Sequence, residues 1–360
     1  MAALGGVARR EQSGESEAEV SGVVLVTGAG GFIGSAVVRL FATSFEEAPP
    51  RFWDGAPVTR LVALLRPGGS LERLQELPRS PNWRVEHADM ANPSDLRAVL
   101  ERIRPRAILH VAQDKAAYTD ISDAERRRLF DAPLEVLVES LAGAQAGRLI
   151  HTGSAWVLPA GSALNESAPA EARSPYAAAK LREDALLPVL QARTGVDWVN
   201  LRLFNTFGKY EKRTRLLPYL VDRLSQGQGA ALSHGQQVRD FSNVEDMARA
   251  YRLALEADAG ACGRVYHIGS GTGMTMRSFA MTVAEVTGNA NLIRFGASQT
   301  ADQDLPSLVA DPSLARRRLG WSPAKDTQGR IRDAARWWME RLGNGGRACP
   351  GVERREAHGQ

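Results

Sequence analysis

Between residues 22 and 203, short apolar runs alternate with segments of helical periodicity. The apolar runs predict strands over 22–28, 60–66, 83–89, 107–113, 148–154 and 197–203. The segments between them predict helices over 32–44, 70–77, 94–104, 132–145 and 175–193. This alternation predicts an α/β fold, a doubly wound parallel sheet with helices on both faces. Because ligands bind such sheets beyond the carboxyl ends of the strands, we look there for functional residues.

A glycine-rich turn joins the first predicted strand to the first predicted helix. It reads TGAGGFIG over residues 27–34, with Gly28, Gly31 and Gly34 at the turn. Because glycine has no β-carbon, backbone N–H groups there can approach a pyrophosphate at the helix N-terminus. Glycines also form tight turns that bind nothing, but the position directly after VVLVT favours a dinucleotide.

The end of the second predicted strand indicates which dinucleotide is bound. Arg66 stands there, in ALLRPGGS. A carboxylate would hold the adenosine ribose hydroxyls, whereas an arginine would pair with a 2′-phosphate, so NADP is favoured over NAD. The alternative is a solvated arginine, with NAD held by other groups. Asp89 and Met90, which end the third predicted strand, are expected to flank the adenine.

Three residues are candidates for proton transfer. Tyr176 and Lys180 lie four residues apart, on one face of a predicted helix that begins near Pro175. A phenol titrates at about pH 10, and a nearby ammonium lowers that pKa by stabilising the phenolate. Ser154, at the end of the fifth predicted strand, can hydrogen-bond the reacting oxygen. The alternative for Ser154 is a loop serine that caps a backbone group.

Taken together, these motifs resemble those of the extended short-chain dehydrogenase/reductases, in the branch of nucleotide-sugar epimerases, dehydratases and reductases. The matching motifs include the glycine turn, Asp89 and YAAAK (176–180). The resemblance extends over nearly all of residues 22–340. The further matching stretches are HVA (110–112), SAWV (154–157), RLFNTFG (202–208), RLLP (215–218), GQQVRDFSNVEDMARA (235–250), YHIGSG (266–271) and RRLGWSP (317–323).

The resemblance implies a Rossmann domain and a smaller C-terminal α/β lobe that grips a nucleotide sugar. We expect residues 1–20 to be a disordered leader and 21–204 to be the NAD(P)-binding domain with the catalytic trio. Residues 205–343 would be mainly the substrate lobe, with some segments returning to the Rossmann core, and 344–360 a disordered tail. The expected dinucleotide contacts are Gly28, Gly31, Phe32, Ile33, Gly34, Arg66, Asp89, Met90, Ala112, Tyr176 and Lys180.

The substrate lobe offers groups for a diphosphate. Asn205, just past the sixth predicted strand, can donate to a phosphate oxygen, and Arg215 and Arg239 can clamp the same group. Ser154 would contact the sugar. The alternative for Arg239 is an internal ion pair with Asp240.

Departures from the resembled family narrow the expected activity. Its 4,6-dehydratases place an Asp–Glu pair directly after the catalytic hydroxyl residue, where this chain has Ala155 and Trp156. Its NAD-recycling epimerases usually carry an acidic residue where Arg66 stands. We therefore expect an NADPH-dependent 4-ketoreductase of a nucleotide-activated 4-keto-6-deoxyhexose. The alternatives are an NAD-dependent nucleotide-sugar 4-epimerase and a catalytically silent dinucleotide-binding member.

Composition and charge exclude several other classes. The net charge of +4 arises from 45 basic and 41 acidic residues that are interspersed, which does not indicate a nucleic-acid protein. The two cysteines, Cys262 and Cys349, form no metal spacing or disulfide framework. No apolar run approaches the roughly 20 residues of a membrane span, and residues 1–20 lack a signal core. We therefore expect a reduced, soluble, cytoplasmic protein without metal or membrane partner, and the resemblance implies a homodimer.

Overall fold

A computed structural model of the chain describes residues 22–142, 147–299 and 304–343. The predictions for residues 1–20 and 344–360 concern segments outside these ranges. The described strands are β1 (Val23–Thr27), β2 (Arg60–Leu65), β3 (Trp83–His87), β4 (Ala107–His110), β5 (Arg148–Ser154), β6 (Gly161–Leu164), β7 (Asp197–Leu203), β8 (Asn205–Phe207), β9 (Ala230–Leu232), β10 (Val238–Asn243), β11 (Arg264–Ile268), β12 (Gly273–Thr275), β13 (Ile293–Phe295) and β14 (Ser307–Ala310).

Ten α-helices occur in the same ranges. They are α1 (Phe32–Glu47), α2 (Pro93–Ile103), α3 (Asp123–Arg126), α4 (Ala132–Ala142), α5 (Pro175–Thr194), α6 (Leu216–Ser225), α7 (Val244–Glu256), α8 (Met276–Thr287), α9 (Ser313–Leu319) and α10 (Thr327–Gly343). None of the described helices is long and apolar enough to cross a membrane.

The main sheet has seven parallel strands in the order β3–β2–β1–β4–β5–β7–β11. This confirms the predicted α/β class and the six strands predicted before residue 204. The strand order reverses between β1 and β4, and such a reversal opens a crevice at the carboxyl ends of the strands. The turn of residues 27–34 lies at this crevice.

Alternate residues of the central strands face two separate apolar layers. Val24 and Val26 of β1 belong to the layer formed with α1 and α7, which also contains Phe41 and Tyr251. Leu25 belongs to the opposite layer, formed with α2, α4 and α5. A parallel strand that is covered on both faces is apolar at every position. This explains the uninterrupted VVLV of β1, in which each buried side chain contributes about 1.5–3 kcal/mol relative to exposure.

A second sheet is formed by strands that alternate along the chain with the later strands of the first sheet. Its order is β12–β10–β14–β6, and β8 pairs with β10. Helices α6, α8 and α10 pack around Phe241, Phe279 and Trp338. Because β8 begins only two residues after Leu203, where β7 ends, the chain passes directly from the large sheet to the small one. Residue Asn205 therefore lies where the two sheets meet.

The helix predicted over 70–77 is wrong. Only a 3-10 turn forms, over Glu72–Leu74. The Arg73 guanidinium donates to the carbonyl oxygens of Gly30 at 3.1 Å and Tyr210 at 2.8 Å, which anchors this turn against distant segments. Pro78 follows directly after the predicted segment, and a proline disfavours the helical conformation of the residue before it. Local periodicity carries no information about these tertiary bonds.

Two glycines of the first turn lie against backbone. Gly28 has a φ of +67°, and a β-carbon on it would lie 2.7 Å from Ala112 Cα. A β-carbon on Gly34 would lie 2.2 Å from the carbonyl oxygen of Gly28. The start of α1 therefore packs onto the turn at a distance that only glycine allows.

We expect Gly34→Ala to destabilise the protein, although alanine is the better helix former by about 1 kcal/mol. The added methyl group would clash with the Gly28 carbonyl, so the free energy of unfolding should fall by about 1–3 kcal/mol in urea denaturation. Gly343→Ala is the control, because nothing lies within 4 Å of that position. An equal gain in both variants would contradict this account.

Candidate active site

A cavity of about 750 Å³ lies at the carboxyl ends of β5 and β7. It is lined by Ser154 at the end of β5, by Tyr176 at the start of α5 and by Asn205 after β7. Phe32 and Ile33, at the start of α1, also line it. The fold thus brings residues from four separate parts of the sequence to one opening.

Tyr176 lies in the first turn of α5. The hydroxyl of Ser174 caps this helix by accepting a hydrogen bond from the Ala177 amide at 3.1 Å. Pro175 occupies the first helical position, where the missing N–H and the fixed φ suit a helix start. The sequence SPYA therefore fixes the position at which the phenol enters the cavity.

Two aromatic rings lie beside the hydroxyl groups of the site. The Tyr118 ring stacks on the Tyr176 ring, with 4.7 Å between centroids and 4° between planes. The Ser154 hydroxyl accepts a hydrogen bond from the Trp156 amide at 3.3 Å, and the Trp156 indole lines the cavity. The sequence analysis did not identify Tyr118, because 58 positions separate it from Tyr176 and no local motif links them.

Lys180 lies one turn after Tyr176 and is buried. Its ammonium donates to the Thr152 carbonyl at 2.9 Å and to Glu183 Oε2 at 2.8 Å. Burial by itself would lower the pKa of Lys180, but the Glu183 carboxylate, with a smaller effect of Tyr176, raises it above its usual value. The sequence analysis missed Glu183, although its position three residues after Lys180 puts both on one helix face.

The glycine turn has the geometry of a dinucleotide cradle. Helix α1 starts after Gly31, which offers no side chain to cap the helix. The first amides of α1 include those of Phe32 and Ile33, and their dipole favours an anion. A β-carbon on Gly31 would lie 3.0 Å from the Gly28 carbonyl, so bulk at this turn is excluded. These residues fit a pyrophosphate group.

Ala112 is held against this turn. The Thr27 hydroxyl accepts hydrogen bonds from the amides of Val111 at 3.1 Å and Ala112 at 3.2 Å. The end of β4 is therefore held close to the end of β1, and the predicted contacts Gly28 and Ala112 are neighbours in space.

The predicted adenosine contacts follow β2 and β3. Arg66 is exposed directly after β2, with its carbonyl accepting from Gly69 N at 2.9 Å. The amide of Asp89 donates to Asp95 Oδ2 at 2.7 Å, and its side chain is exposed. Met90 packs at the edge of the apolar layer of α2, α4 and α5. The Arg66 and Asp89 side chains are thus accessible to a ligand.

Arg239 is paired, but not with the partner considered from the sequence. Its guanidinium forms an ion pair with Asp304, donates to the Val238 carbonyl at 2.8 Å and lies 5.6 Å from the Trp156 ring centroid. Asp240 instead accepts from the backbone of Ser270 and Gly271, at 2.6 and 2.8 Å, so the suggested Arg239–Asp240 pair is wrong. Arg239 remains next to a residue that lines the cavity.

Glu211 is a carboxyl group on the cavity wall that the sequence analysis missed. It is buried, its Oε1 accepts from Arg215 Nε at 3.5 Å, and its Oε2 has no partner among the described residues. Burial raises the pKa of Glu211 to about 7, although the Arg215 guanidinium acts in the opposite direction. The Asn205 Oδ1 is also buried without a described partner. Both atoms belong to residues that line the cavity.

The Glu211 carboxyl predicts a pH dependence of stability. Its pKa is raised from 4.5 to about 7 in the folded protein, so its contribution is present below pH 4.5 and lost as the pH rises towards 7. Glu211→Gln should therefore gain up to about 3 kcal/mol on the wild type between pH 5 and pH 8, measured by urea denaturation. Glu285→Gln, an exposed carboxylate, is the control. Parallel pH profiles of wild type and Glu211→Gln would sink the assignment.

Within the described ranges, no group of three or more His, Cys, Asp or Glu side chains could hold a metal ion. The groups in and around the cavity that can act chemically are hydroxyl, carboxyl, ammonium and guanidinium groups, next to the glycine turn of residues 27–34.

The sequence of this chain is similar to those of several named enzymes. The chain is 30% identical over 328 residues to a dTDP-glucose 4,6-dehydratase of Streptomyces niveus, covering 88% of this chain and 94% of the relative. It is 26% identical to a UDP-glucose 4-epimerase of Streptomyces lividans, covering 88% and 96%.

Solved structures of enzymes with the same names have a fold similar to that of this chain. The dTDP-glucose 4,6-dehydratase of Streptomyces venezuelae, solved with NAD and TYD bound, superposes with a TM-score of 0.75 at 25% identity over 89% of this chain and 98% of that one. The UDP-glucose 4-epimerase of Thermotoga maritima, with UDP-glucose, has a TM-score of 0.74 at 21% identity over 89% and 99%. The sequence model of the NAD dependent epimerase/dehydratase family matches residues 24–269. The chain therefore belongs to this family of nucleotide-sugar enzymes, as the resemblance to the extended short-chain dehydrogenase/reductases predicts.

Proposed function

We propose that the protein reduces, with NADPH, the 4-keto group of a nucleotide-activated 4-keto-6-deoxyhexose. The observation that carries this proposal is the cavity wall after Ser154. Ala155 is buried and Trp156 presents an indole, so the acid–base pair that the sequence analysis associates with 4,6-dehydratases is replaced by apolar groups. Ser154 and Tyr176 nevertheless line the cavity, and Lys180 lies buried one turn after Tyr176 on α5.

Each member of the trio has a separate role in the proposed reaction. When bound, the reduced nicotinamide supplies the hydride. Ser154 donates a hydrogen bond that orients the keto oxygen, and Tyr176 protonates that oxygen as negative charge develops on it. Lys180 would hold the ribose hydroxyls of a bound dinucleotide and would stabilise the phenolate that Tyr176 becomes.

The diphosphate of the substrate would lie at the junction of the two sheets. Asn205 can donate to it from its amide nitrogen, and Arg215, which is largely exposed, can reach it at the cavity mouth. Arg239, whose guanidinium lies 5.6 Å from the Trp156 ring centroid, would add positive charge next to the cavity wall. Glu211, protonated below about pH 7, would not repel the diphosphate.

Tyr176→Phe should abolish turnover while NADPH binds with a Kd within about twofold of the wild type, because only the transferred proton is removed. The assay follows loss of NADPH with dTDP- and UDP-linked 4-keto-6-deoxyglucose, and mass spectrometry identifies the product. Tyr219→Phe, on α6, is the matched control. Near-normal turnover in Tyr176→Phe would remove the mechanism, and no reduction by the wild type would remove the proposed reaction.

Arg66 supports NADP as the dinucleotide, although neighbours were solved with NAD. Arg66→Asp should reverse the preference, because the carboxylate repels the 2′-phosphate and binds the ribose hydroxyls instead. We expect the ratio of the Kd values for NADPH and NADH to change by at least roughly 10-fold, about 1.4 kcal/mol. Arg60→Asp, at the other end of β2, is the control. An unchanged ratio in Arg66→Asp would contradict this role.

The second candidate is an NAD-dependent nucleotide-sugar 4-epimerase. It is favoured by the relatives and neighbours named UDP-glucose 4-epimerase, one of them solved with NAD. Denaturing freshly purified protein and identifying the released dinucleotide separates the two. Stoichiometric NAD would indicate a retained, recycled cofactor and hence the epimerase. An empty site or partial NADP would support a reductase. Absence of both keto-sugar reduction and nucleotide-sugar epimerisation would favour the third reading, a silent dinucleotide-binding member.

A further inference from the structure

Behind Lys180 lies a buried cluster of polar side chains on α5 and β5. Glu183 Oε2 accepts from Lys180 Nζ at 2.8 Å and lies 3.1 Å from His151 Nε2. The three side chains, in the order Lys180, Glu183 and His151, are 3%, 4% and 0% exposed. Isolated buried charges are strongly destabilising, so these groups depend on one another. The reduction proposed above uses Lys180 and assigns no role to its two partners.

The positions of the protons on His151 follow from its neighbours. The Asp184 carboxylate, which accepts from Arg202 at 2.8 Å, also accepts from Asn200 Nδ2 at 2.6 Å. The amide oxygen of Asn200 therefore faces His151 Nδ1, 3.2 Å away. Because an amide oxygen can only accept, Nδ1 carries a proton. His151 Nε2 faces a Glu183 carboxylate oxygen, so a second proton must lie between these two atoms.

The cluster thus contains an additional proton. Beside a neutral histidine whose one proton is on Nδ1, a lysine–glutamate pair would have no hydrogen between Nε2 and the carboxylate oxygen. Here a single oxygen, Glu183 Oε2, meets N–H groups from both Lys180 and His151. A proton on His151 is therefore two hydrogen bonds away from Lys180 Nζ.

We propose that His151 and Glu183 are positioning residues that store a proton for Lys180 and return it during each catalytic cycle. This inference rests on the proposed function, in which Tyr176 loses a proton at every turnover. It assigns a role to two residues buried between α5 and β5.

The proton balance of the step is as follows. The Tyr176 O–H bond breaks as the substrate hydroxyl forms. Tyr176 would regain a proton from Lys180, whose N–H bond breaks, by way of the ribose hydroxyls that Lys180 would hold. The His151 Nε2–H bond breaks, its proton passes across Glu183 Oε2, and a new N–H bond forms on Lys180. His151 is left neutral, with its remaining proton on Nδ1. Because its ring is fully buried, it is recharged from the cavity side along the same hydrogen bonds before the next cycle.

The other charged groups near the cluster leave this route open. Burial lowers the pKa of His110 to about 3, so that ring, 5.7 Å from His151, is neutral and meets the Thr27 hydroxyl instead. Asp184 is occupied by Asn200 and Arg202. Burial would raise the pKa of Glu183, but Lys180 and His151 lower it to about 2. The additional proton is therefore on a nitrogen.

The protonation of His151 can be measured without turnover. In nitrogen NMR of histidine-labelled protein with NADP bound, His151 should show two protonated ring nitrogens at pH 7, and His151→Gln assigns the signal. In Glu183→Gln the His151 ring should be neutral at the same pH, because the Glu183 carboxylate that faces its second proton is lost. A neutral His151 in the wild type at pH 7 would overturn the proposal, whatever reaction the enzyme catalyses.

Kinetics test the use of the stored proton. In His151→Gln, steady-state kcat should fall by roughly 100-fold, with a larger solvent isotope effect. The first turnover after rapid mixing should stay within twofold of the wild type, because Tyr176 still carries its proton. In Glu183→Gln, the alkaline limb of kcat should also move to lower pH, because Lys180 loses the carboxylate that raises its pKa. NADPH affinity should stay within twofold in both variants.

Asp131→Asn is the matched control. It removes a carboxylate that pairs with Arg182, a residue of α5 outside the cluster of Lys180, Glu183 and His151. It should keep the wild-type isotope effect and pH profile. If His151→Gln slows the first turnover and the steady state equally, or leaves both unchanged, the store is not used and the proposal fails. If the wild type turns over no keto sugar, the proposed function fails instead, and the NMR result still decides the protonation of His151.

Discussion

The burial of one ammonium group constrains much of this protein. Lys180 lies inside the molecule, where an unpaired charge is strongly destabilising. Its partners are the Glu183 carboxylate and the Thr152 carbonyl, at 2.8 and 2.9 Å. Glu183 in turn requires His151, which lies on β5. Helix α5 therefore has to pack on the sheet in one rotational setting, and this setting points Tyr176 into the cavity.

The second constraint is the passage of the chain between two sheets. Strand β7 ends at Leu203 and β8 begins at Asn205, so a single residue separates the main sheet from the second sheet. The cavity opens at this junction and receives residues from both sides. A reaction between a dinucleotide and a sugar requires such a place, because the two must meet at one reacting carbon while their charged diphosphates are bound apart.

Two buried glutamates near the cavity have opposite electrostatic surroundings. Behind Lys180, Glu183 has a lowered pKa and balances a cation. At the cavity wall, burial raises the pKa of Glu211 to about 7, although the Arg215 guanidinium and the Gly208 backbone act in the opposite direction. Two glutamates of one protein thus have opposite protonation tendencies. The difference follows from their partners, since both side chains are almost fully buried.

The strands before residue 204 and the glycine turn were predictable from sequence, because apolar periodicity and missing β-carbons are local properties. So were Ser154, Tyr176 and Lys180 as a candidate trio. The sequence by itself thus determined the fold class and the order of the motifs. Tertiary structure alone decided the 3-10 turn at Glu72–Leu74, the Arg239–Asp304 pair, the stacking of Tyr118 on Tyr176 and the contact of His151 with Glu183. Each depends on segments that are distant along the chain, whose burial and partners no local pattern records.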